Sequence, residues 1–306
     1  MANLFETDLL HEVADLDALP VGAYNIRADG KSAARNTTAH IDIVTKTDKP
    51  GIDIIIAPNT VNESVHIPVI ISESGLKESV YNDFFVGPNC DVTIIAGCGI
   101  HNCGSGDSQH DGIHSFFVGE NSKVRYVEKH YGEGTGTGKR VMNPTTIVNL
   151  SKNAHMEMET TQIEGINDTV RKTSAILAEG ASLVVHDKIL TSGDQQATAD
   201  FTADLNGAGA SCNIISRSVA KGRSHQNFYS RLNGNAPCAG HTECDAIIMD
   251  HANVLASPQL TANDLDASLI HEAAIGKIAG DQLIKLMSLG LTEKEAEEQI
   301  VNGFLK

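Results

Sequence analysis

The chain of 306 residues carries 39 acidic and 23 basic side chains, so its formal net charge is −16 at pH 7. This balance excludes a general nucleic-acid binder, because a phosphate backbone is bound by clustered Lys and Arg, and it disfavours docking on an anionic membrane. No apolar run approaches the ~18 residues of a transmembrane helix, and no signal peptide is expected at the start. We therefore expect a cytoplasmic protein whose partners are neither nucleic acid nor membrane.

Six cysteines occur, at positions 90, 98, 103, 212, 238 and 244. In the cytoplasm thiols stay reduced, and no pair has CxxC spacing, so neither a disulfide framework nor a zinc ribbon is expected. Free cysteines are usually small buried hydrophobic residues, and that is the expectation for most of these.

The first segment, residues 1–23, has a helical pattern. Phe5, Leu9, Val13 and Leu16 recur at spacings of three and four residues. Such spacing places apolar side chains on one face of a helix, so the sequence predicts an N-terminal helical segment.

A repeat dominates residues 24–262, where short β-branched runs alternate with Gly, Asn, Asp and Ser, as is typical of many short strands. Copies of a unit with a hydrophobic residue, small or polar residues and a short strand begin at Val86, Val118, Leu150, Leu177, Leu205 and Leu232. The copies are 27 to 32 residues apart. A period of this length predicts stacked coils, in which each coil completes the core of the next. The alternative, a β-sandwich, has turn signals every ~8–12 residues without the longer period.

The turn of each copy carries Asn or Gly, which tolerate a positive φ. These residues are Asn89, Asn121, Asn153, Gly180, Gly209 and Asn235. In the copy at Leu150 the even positions from Ala154 to Thr160 are expected on one side of a strand and the odd positions on the other.

The sequence pattern changes again near Asn263. Leucines and a methionine recur at helical spacing up to Gly290, which is placed as a helix stop. Thr292 and Glu295 then have the spacing of a capping box. We predict a C-terminal helical domain over residues 263–306 that caps the solenoid or docks a partner.

The run from Gly132 to Lys139 is similar to a P-loop, but Glu133 stands where Gly is required and Arg140 where Ser or Thr must hold magnesium. We interpret the run as a flexible surface loop and expect no nucleotide binding by the chain itself.

Soft ligand residues crowd into one stretch of the sequence. They are Cys90, Cys98, Cys103, His101, His110 and His114, with Asp107 and Asp111 among them. Thiolate and imidazole together suit zinc or iron, but the spacing matches no standard finger. The alternative is buried thiols and solvated histidines.

A second group of candidate ligands surrounds Cys244, which lies among His241, Glu243 and Asp245. Carboxylates raise the pKa of a thiol, so this setting suits a metal ligand better than a nucleophile. The pair His271–Glu272 begins 27 residues after Cys244, about one repeat later. Residues one coil apart can lie side by side, so we expect these side chains to converge.

The C-terminal third resembles the SufB/SufD family of iron–sulfur cluster assembly proteins. The resemblance is carried by Gly222–Ser230, Thr242–Met249, His271–Ile278 and the ending from Asp281 to Phe304. It extends more weakly upstream to about Val92. The resemblance implies a right-handed parallel β-helix followed by a small C-terminal helical domain.

The same resemblance implies a function. It points to a scaffold subunit for iron–sulfur cluster assembly, not an enzyme in its own right, that works with a SufC-type ABC ATPase docked on the C-terminal helices. It implies a dimer through the β-helix, either a homodimer or a pair with a SufD-like partner. A purely structural, SufD-like subunit that holds no metal remains an alternative. A β-helix carbohydrate-active enzyme is a more remote one, because its groove needs aromatic side chains and the chain has 4% aromatic residues and no Trp.

The residues at two positions make the chain resemble SufB more than SufD. SufB members have a cysteine at the position of Cys244 and His-Glu at His271 and Glu272, whereas SufD members typically have Gly after the His. The resemblance implies that Cys244, His271 and Glu272 hold a transient nascent iron–sulfur cluster, or iron alone. The chain departs from SufB in a shortened N-terminal region and in Ala175, which stands where SufB has a sulfur-accepting cysteine. Cys90, Cys98 and Cys103 offer a substitute for that cysteine as the sulfur acceptor.

Overall fold

The computed structural model describes the backbone of residues 4–16 and 18–306, and the side chains of residues 9–16, 18–163 and 165–306. Helix α1 (Leu4–Ala14) comes first, strands β1 to β20 follow, and α2 (Gly280–Ser288) and α3 (Glu293–Phe304) come last.

The strands form two sheets of ten. The first contains β1 (Ala23–Ala28), β2 (Lys31–Asn36), β5 (Val61–Ile71), β7 (Asp91–His101), β9 (Lys123–Glu133), β12 (His155–Glu164), β14 (Ser182–Thr191), β16 (Ser211–Ala220), β18 (Ala239–Ile248) and β20 (Ser268–Gly276). The second contains β3 (Ile41–Thr45), β4 (Gly51–Ile56), β6 (Lys77–Val86), β8 (Ser108–Val118), β10 (Arg140–Met142), β11 (Thr145–Leu150), β13 (Asp168–Leu177), β15 (Gln196–Leu205), β17 (His225–Gly234) and β19 (Asn253–Ala262).

The two sheets face each other as the walls of a parallel β-solenoid. Each strand pairs in parallel with the strand one coil later, as β16 does with β18 and β18 with β20. The prediction of a parallel β-helix with helical ends is therefore confirmed. At the N-terminal end the order changes, because β1–β2 and β3–β4 are antiparallel pairs. At the other end β19 and β20 are the last strands of their sheets.

Side chains that alternate along the strands fill the space between the sheets. Ala154, Met156, Met158 and Thr160 are buried, as the alternation predicts, while the odd positions between them are partly exposed. Phe84 and Phe116 stack one coil apart, with ring centroids 4.4 Å apart. Such ladders of like side chains give one continuous core rather than a separate core for each coil.

The turns of successive coils are joined by a ladder of asparagines. Asn89, Asn121 and Asn153 have φ between 56° and 58°, and the side-chain amide of each bonds to that of the preceding copy at 3.2–3.3 Å. Gly180 and Gly209 continue the left-handed turns with φ of 65° and 73°. Five of the six predicted turn residues are thus confirmed.

Asn235 is the exception, because its φ is not positive. Its amide instead stands in a second ladder, where it donates to Asn206 and accepts from Asn263, both at 2.7 Å. An Asn in a turn can adopt a positive φ or can form side-chain hydrogen bonds with neighbouring turns, and the sequence does not distinguish these two roles.

Helix α1 lies against the first sheet. Leu9 and Val13 are buried beside Ile70, and Gly97 allows this approach, because a Cβ there would stand 2.2 Å from the carbonyl oxygen of Val13. The side chain of Phe5, the first residue of the predicted pattern, lies outside the described residues.

The C-terminal segment mixes strand and helix. We predicted a helical domain over residues 263–306 that ends in two short helices, and α2 and α3 are these helices. Strand β20 precedes them in the same segment and completes one more coil. The apolar run in β20 is too short to distinguish a strand from a helix by periodicity alone. Thr292 and Glu295 form the predicted capping box of α3, and Gly290 has a φ of 100° after α2.

Within the described residues, no helix has the length and apolarity needed to span a bilayer. The division into three domains stays a prediction.

Candidate metal site at the C-terminal end of the solenoid

Cys244 lies on β18 and points into the solenoid. Its side chain is part of the core, and the residue is 1% exposed. Burial raises the pKa of its thiol to about 12, and the carboxylates of Asp245 and Asp187 add to this effect. The thiol is therefore neutral on its own, and a bound cation is needed to make it a thiolate ligand.

His271 lies on β20 and points to the same side. It pairs with Thr242, whereas Cys244 pairs with Ala273, so Cys244 and His271 are diagonal neighbours on the inner face. From the strand spacing and rise, their Cα atoms are about 8 Å apart. The Nδ1 atom of His271 is buried and has no hydrogen-bond partner. We call Cys244 and His271 the inner pair.

Glu272 lies on the opposite face of the sheet, next to Glu243, with which it pairs across the strands. Its Oε2 is 3.7 Å from Nε2 of His241. One donor atom from each of His241, Glu243 and Glu272 lies within 4.8 Å of the other two. We call these three residues the outer triad.

The hydrogen bonds and the negative charge of the outer triad make it suitable for binding a cation. The Nδ1 atom of His241 is 2.9 Å from Oδ1 of Asn213, which fixes the ring with Nε2 turned to Glu272. Burial raises the pKa of Glu243, and a hydrogen bond with Asp245 adds to the shift. A cation placed here relieves the repulsion between these carboxylates.

The three predicted ligands therefore do not share one face. Cys244 and His271 form the inner pair, and Glu272 lies outside with His241 and Glu243. The physical reason is the register: because Cys244 pairs with Ala273, the residue before it, Glu272, points the other way. That these residues bind a cluster stays a prediction.

The strands beside the site are edge strands with exposed apolar side chains. Leu255 and Leu260 on β19 and Ile270 and Ile275 on β20 are exposed. An edge strand offers free N–H and C=O groups to another chain, and exposed apolar residues favour covering it.

Comparison with known proteins identifies the family. The family model described as "SUF system FeS cluster assembly, SufBD core domain" matches residues 79–304. The chain belongs to the SufBD family. It is 31% identical over 238 residues to an iron-sulfur cluster assembly SufBD family protein of Pyrococcus horikoshii, covering 77% of this chain and 71% of that protein.

Other SufBD relatives are longer. The chain is 28% identical to a SufBD family protein of Archaeoglobus fulgidus, over 75% of this chain and 61% of the relative. It is 27% identical to one of Methanothermobacter thermautotrophicus, over 78% of this chain and 57% of the relative. It thus spans less than two thirds of these two relatives.

The predicted soft-ligand cluster of this SufBD chain is dispersed. Cys90 donates a hydrogen bond from Sγ to the carbonyl oxygen of Ala57, at 3.2 Å, and Cys98 is buried inside the solenoid. Cys103 is exposed on a loop. Strand alternation and the loop therefore place the three cysteines in separate environments, while Cys103 keeps a contact with His101 of the same predicted cluster, with Sγ 3.0 Å from Nε2.

Sequence reasoning missed a buried polar cluster inside the SufBD solenoid. Tyr126 donates a hydrogen bond to Glu128 at 3.0 Å, and Nδ1 of His114 is 2.7 Å from the Tyr126 hydroxyl oxygen. The Nε2 atom of His130 is 3.5 Å from Glu128. Against the effect of burial, His130 and Arg171 hold the pKa of Glu128 well below its usual range. The alternation along β9 was the available signal, because Tyr126, Glu128 and His130 share the inward parity of Val124.

Ala175 lies in the core of the same solenoid. It is 2% exposed and pairs with Ala203 and Val148 on the neighbouring strands. A methyl group cannot accept sulfur, so the position that the resemblance associates with sulfur acceptance is chemically inert in this chain.

Proposed function

We propose that this SufBD protein is a scaffold subunit on which a nascent iron–sulfur cluster is assembled at the C-terminal end of the solenoid. The observation that carries the proposal is the position of the inner pair and the outer triad on the two faces of the last paired strands. Thiolate is a soft ligand for iron, and imidazole and carboxylate ligands leave a site labile. The cluster, or iron alone, is cargo rather than a resident cofactor.

The two groups of ligands have separate roles in this proposal. The outer triad, with two carboxylates and an imidazole, suits the capture of a ferrous ion from water. The inner pair suits a sulfide-bridged iron, because its thiol loses a proton when a cation binds. The unpartnered Nδ1 atom of His271 gains a ligand in the same step.

We further propose that the scaffold is a dimer. A second copy, or a SufD-like partner, that pairs along β19 and β20 covers their exposed apolar residues. A two-fold contact at these edges also brings a second set of Cys244, His271 and Glu272 to the same seam.

A SufC-type ABC ATPase is the proposed partner of the C-terminal helices. Helix α2 has no buried residue; Ile284 and Met287 are exposed on it, and so is Leu289, which directly follows it. Because residues 132–139 do not have the P-loop pattern, the proposal assigns nucleotide hydrolysis to the partner and no enzyme activity to the scaffold. The proposed setting is the cytoplasm, where the six free cysteines stay reduced.

A structural, SufD-like role is the second candidate. The observation that favours it is the deep burial of Cys244, with its raised pKa and with Glu272 on the other face. In that case the chain completes a complex without holding metal.

Anaerobic reconstitution with ferrous iron and sulfide distinguishes the two roles. We expect the wild-type protein to develop charge-transfer absorbance, and Cys244→Ser to lose most of it. Cys212→Ser is the matched control, because Cys212 is also a buried thiol of the first sheet, with a pKa raised to about 12. Equal absorbance in Cys244→Ser and Cys212→Ser contradicts the ligand assignment, and a wild-type protein that binds no iron supports the SufD-like role.

A further inference from the structure

An exposed cysteine outside the proposed cluster site has the geometry of an activated nucleophile. Sγ of Cys103 is 3.0 Å from Nε2 of His101, and Nδ1 of His101 is 2.8 Å from Oε1 of Glu133. His101 and Glu133 are paired residues at the ends of β7 and β9. A thiol beside an imidazole that is oriented by a carboxylate is the arrangement of cysteine nucleophiles in general.

Thr135 adds donors on the other side of the sulfur. Its hydroxyl oxygen is 3.8 Å from Sγ of Cys103, and its backbone N–H also bonds to the sulfur. The backbone and hydroxyl of Thr135, together with the neighbouring His101, lower the pKa of the Cys103 thiol. All of these contacts favour the thiolate, which is the reactive form.

Two stacked loops hold these groups in place. The loop that contains Thr135 bonds to the loop of Cys103 through Gly136 N–H to Asn102 and Gly138 N–H to Gly104, both at 3.0 Å. A Cβ on Gly136 would stand 2.3 Å from the Gly104 carbonyl oxygen, so this close stacking requires glycine. The glycine run that is similar to a P-loop therefore positions Thr135 over the thiol, and the loop is anchored rather than flexible.

The other five cysteines have the opposite setting. All six lie in the described part of the chain; Cys103 is exposed and the others are buried. Burial raises the thiol pKa of Cys98, Cys212, Cys238 and Cys244. A soluble reagent therefore meets one reactive thiol.

The reaction that suits this thiol is sulfur transfer. Acyl transfer needs donors aimed at a developing oxyanion and a cleft that orients the substrate, whereas Thr135 and His101 both point at the sulfur itself. A thiolate on an open loop needs only an electrophilic sulfur atom and a thiol that leaves. An iron–sulfur cluster contains inorganic sulfur, so a scaffold that assembles one must receive sulfur from a donor.

We propose that Cys103 is a sulfur-acceptor site that takes the terminal sulfur of a persulfide. His101 removes the thiol proton, and the Cys103 thiolate attacks the outer sulfur of R–S–SH. A new S–S bond forms on Cys103 as the S–S bond of the donor breaks, and the departing R–S⁻ takes the proton from His101. The products are Cys103–S–SH and R–SH, so no external oxidant or reductant is needed. The inference rests on the proposed function for its biological purpose, and Glu133 serves as a positioning residue that orients His101.

Persulfide transfer to the full chain tests this site. The reduced protein is incubated anaerobically with glutathione persulfide, alkylated, and analysed by peptide mass spectrometry. We expect one added sulfur on Cys103, loss of this label in Cys103→Ser, and its retention in Cys212→Ser. A first label on any buried cysteine, or an unlabelled wild-type protein, overturns the proposal.

The pH profile of the reaction tests the role of His101. His101→Gln loses the general base and its part of the thiolate stabilisation, while the Thr135 contacts remain, so this variant is expected to react several-fold more slowly at pH 7. At pH 9.5 both proteins are largely ionised and the difference should disappear. Equal rates at pH 7 contradict activation by His101.

Reconstitution separates this proposal from the proposed function. Inorganic sulfide bypasses the acceptor, so Cys103→Ser should form the cluster absorbance as the wild type does. Failure of the wild-type protein to bind iron and sulfide rejects the scaffold, whereas failure of persulfide labelling alone rejects Cys103 as the acceptor.

Discussion

Cys244 and Cys103 show how the surroundings of one residue type determine its chemistry. Cys244 is inside the core, where burial raises the pKa of its thiol to about 12 and keeps it protonated. Cys103 is exposed beside His101 and Thr135, which stabilise its thiolate. The proposed division of labour, with sulfur accepted at one thiol and iron ligated at the other, follows from this difference.

His114 carries a stability prediction, because burial lowers its pKa from 6.5 to about 4. Glu128 opposes this shift, while His110 and His130 reinforce it. Below pH 6.5 the unfolded chain binds a proton at this site that the folded chain does not bind until about pH 4, so stability falls as the pH drops through that window. We expect His114 to account for a loss of about 2 kcal/mol in unfolding free energy between pH 7 and pH 5.

Urea unfolding at the two pH values measures this loss. His114→Gln should reduce the difference between pH 7 and pH 5 by about 2 kcal/mol, whatever its effect at either pH alone. His251→Gln, at an exposed histidine, should leave the difference unchanged. An unchanged difference in His114→Gln would show that protonation of His114 does not destabilise the fold.

For single residues, the sequence did not predict which face of a strand each candidate ligand occupies. The repeat showed that Cys244 and the pair His271–Glu272 are about one coil apart, and the structure places them on adjacent strands. The repeat does not determine the register between the strands, and a shift of one residue moves a side chain to the other face of the sheet. The contact of His101 with Glu133 was accessible in principle, because they are separated by the same 32 residues as Val86 and Val118.

At the scale of elements, the turns were the most predictable part. Asn89, Asn121 and Asn153 have the positive φ that their residue type predicts. Strand β20 falls within the segment that we assigned to the helical domain, because its short apolar run does not distinguish a strand from a helix.

Helix α2 is the element for which we predict ATPase docking. Ile284 is 65% exposed, and its burial in the complex contributes about 1.5–3 kcal/mol, which corresponds to more than about tenfold in affinity. Ile284→Asp should therefore abolish co-purification with the co-expressed ATPase. Ser288→Asp adds the same charge to an exposed polar position of α2 and should leave binding intact. Equal recovery of the ATPase with both variants would place the docking surface elsewhere.

At the scale of the whole molecule, the two ends of the solenoid differ. Antiparallel pairs close the N-terminal end, while β19 and β20 leave the other end with long parallel edges. Long edges with apolar side chains favour pairing with another chain. This asymmetry is why we place both the dimer contact and the cluster at the C-terminal end.

Ile270 tests the dimer. It is 52% exposed on β20, so Ile270→Lys should give a monomer in sedimentation velocity, because a pair of lysines at a two-fold contact repel each other. Val44→Lys is the control, since Val44 is 42% exposed on β3 at the opposite end of the solenoid. A dimer that survives Ile270→Lys, or that Val44→Lys disrupts, contradicts the proposed seam.

The proposal that Cys244 ligates a nascent cluster is best tested on protein purified anaerobically with its co-expressed ATPase. The measurement is its content of iron and acid-labile sulfide. We expect both elements in the wild-type protein and in Cys212→Ser, and their loss in Cys244→Ser. A wild-type protein without iron, or the same iron and sulfide content in Cys244→Ser, would contradict it.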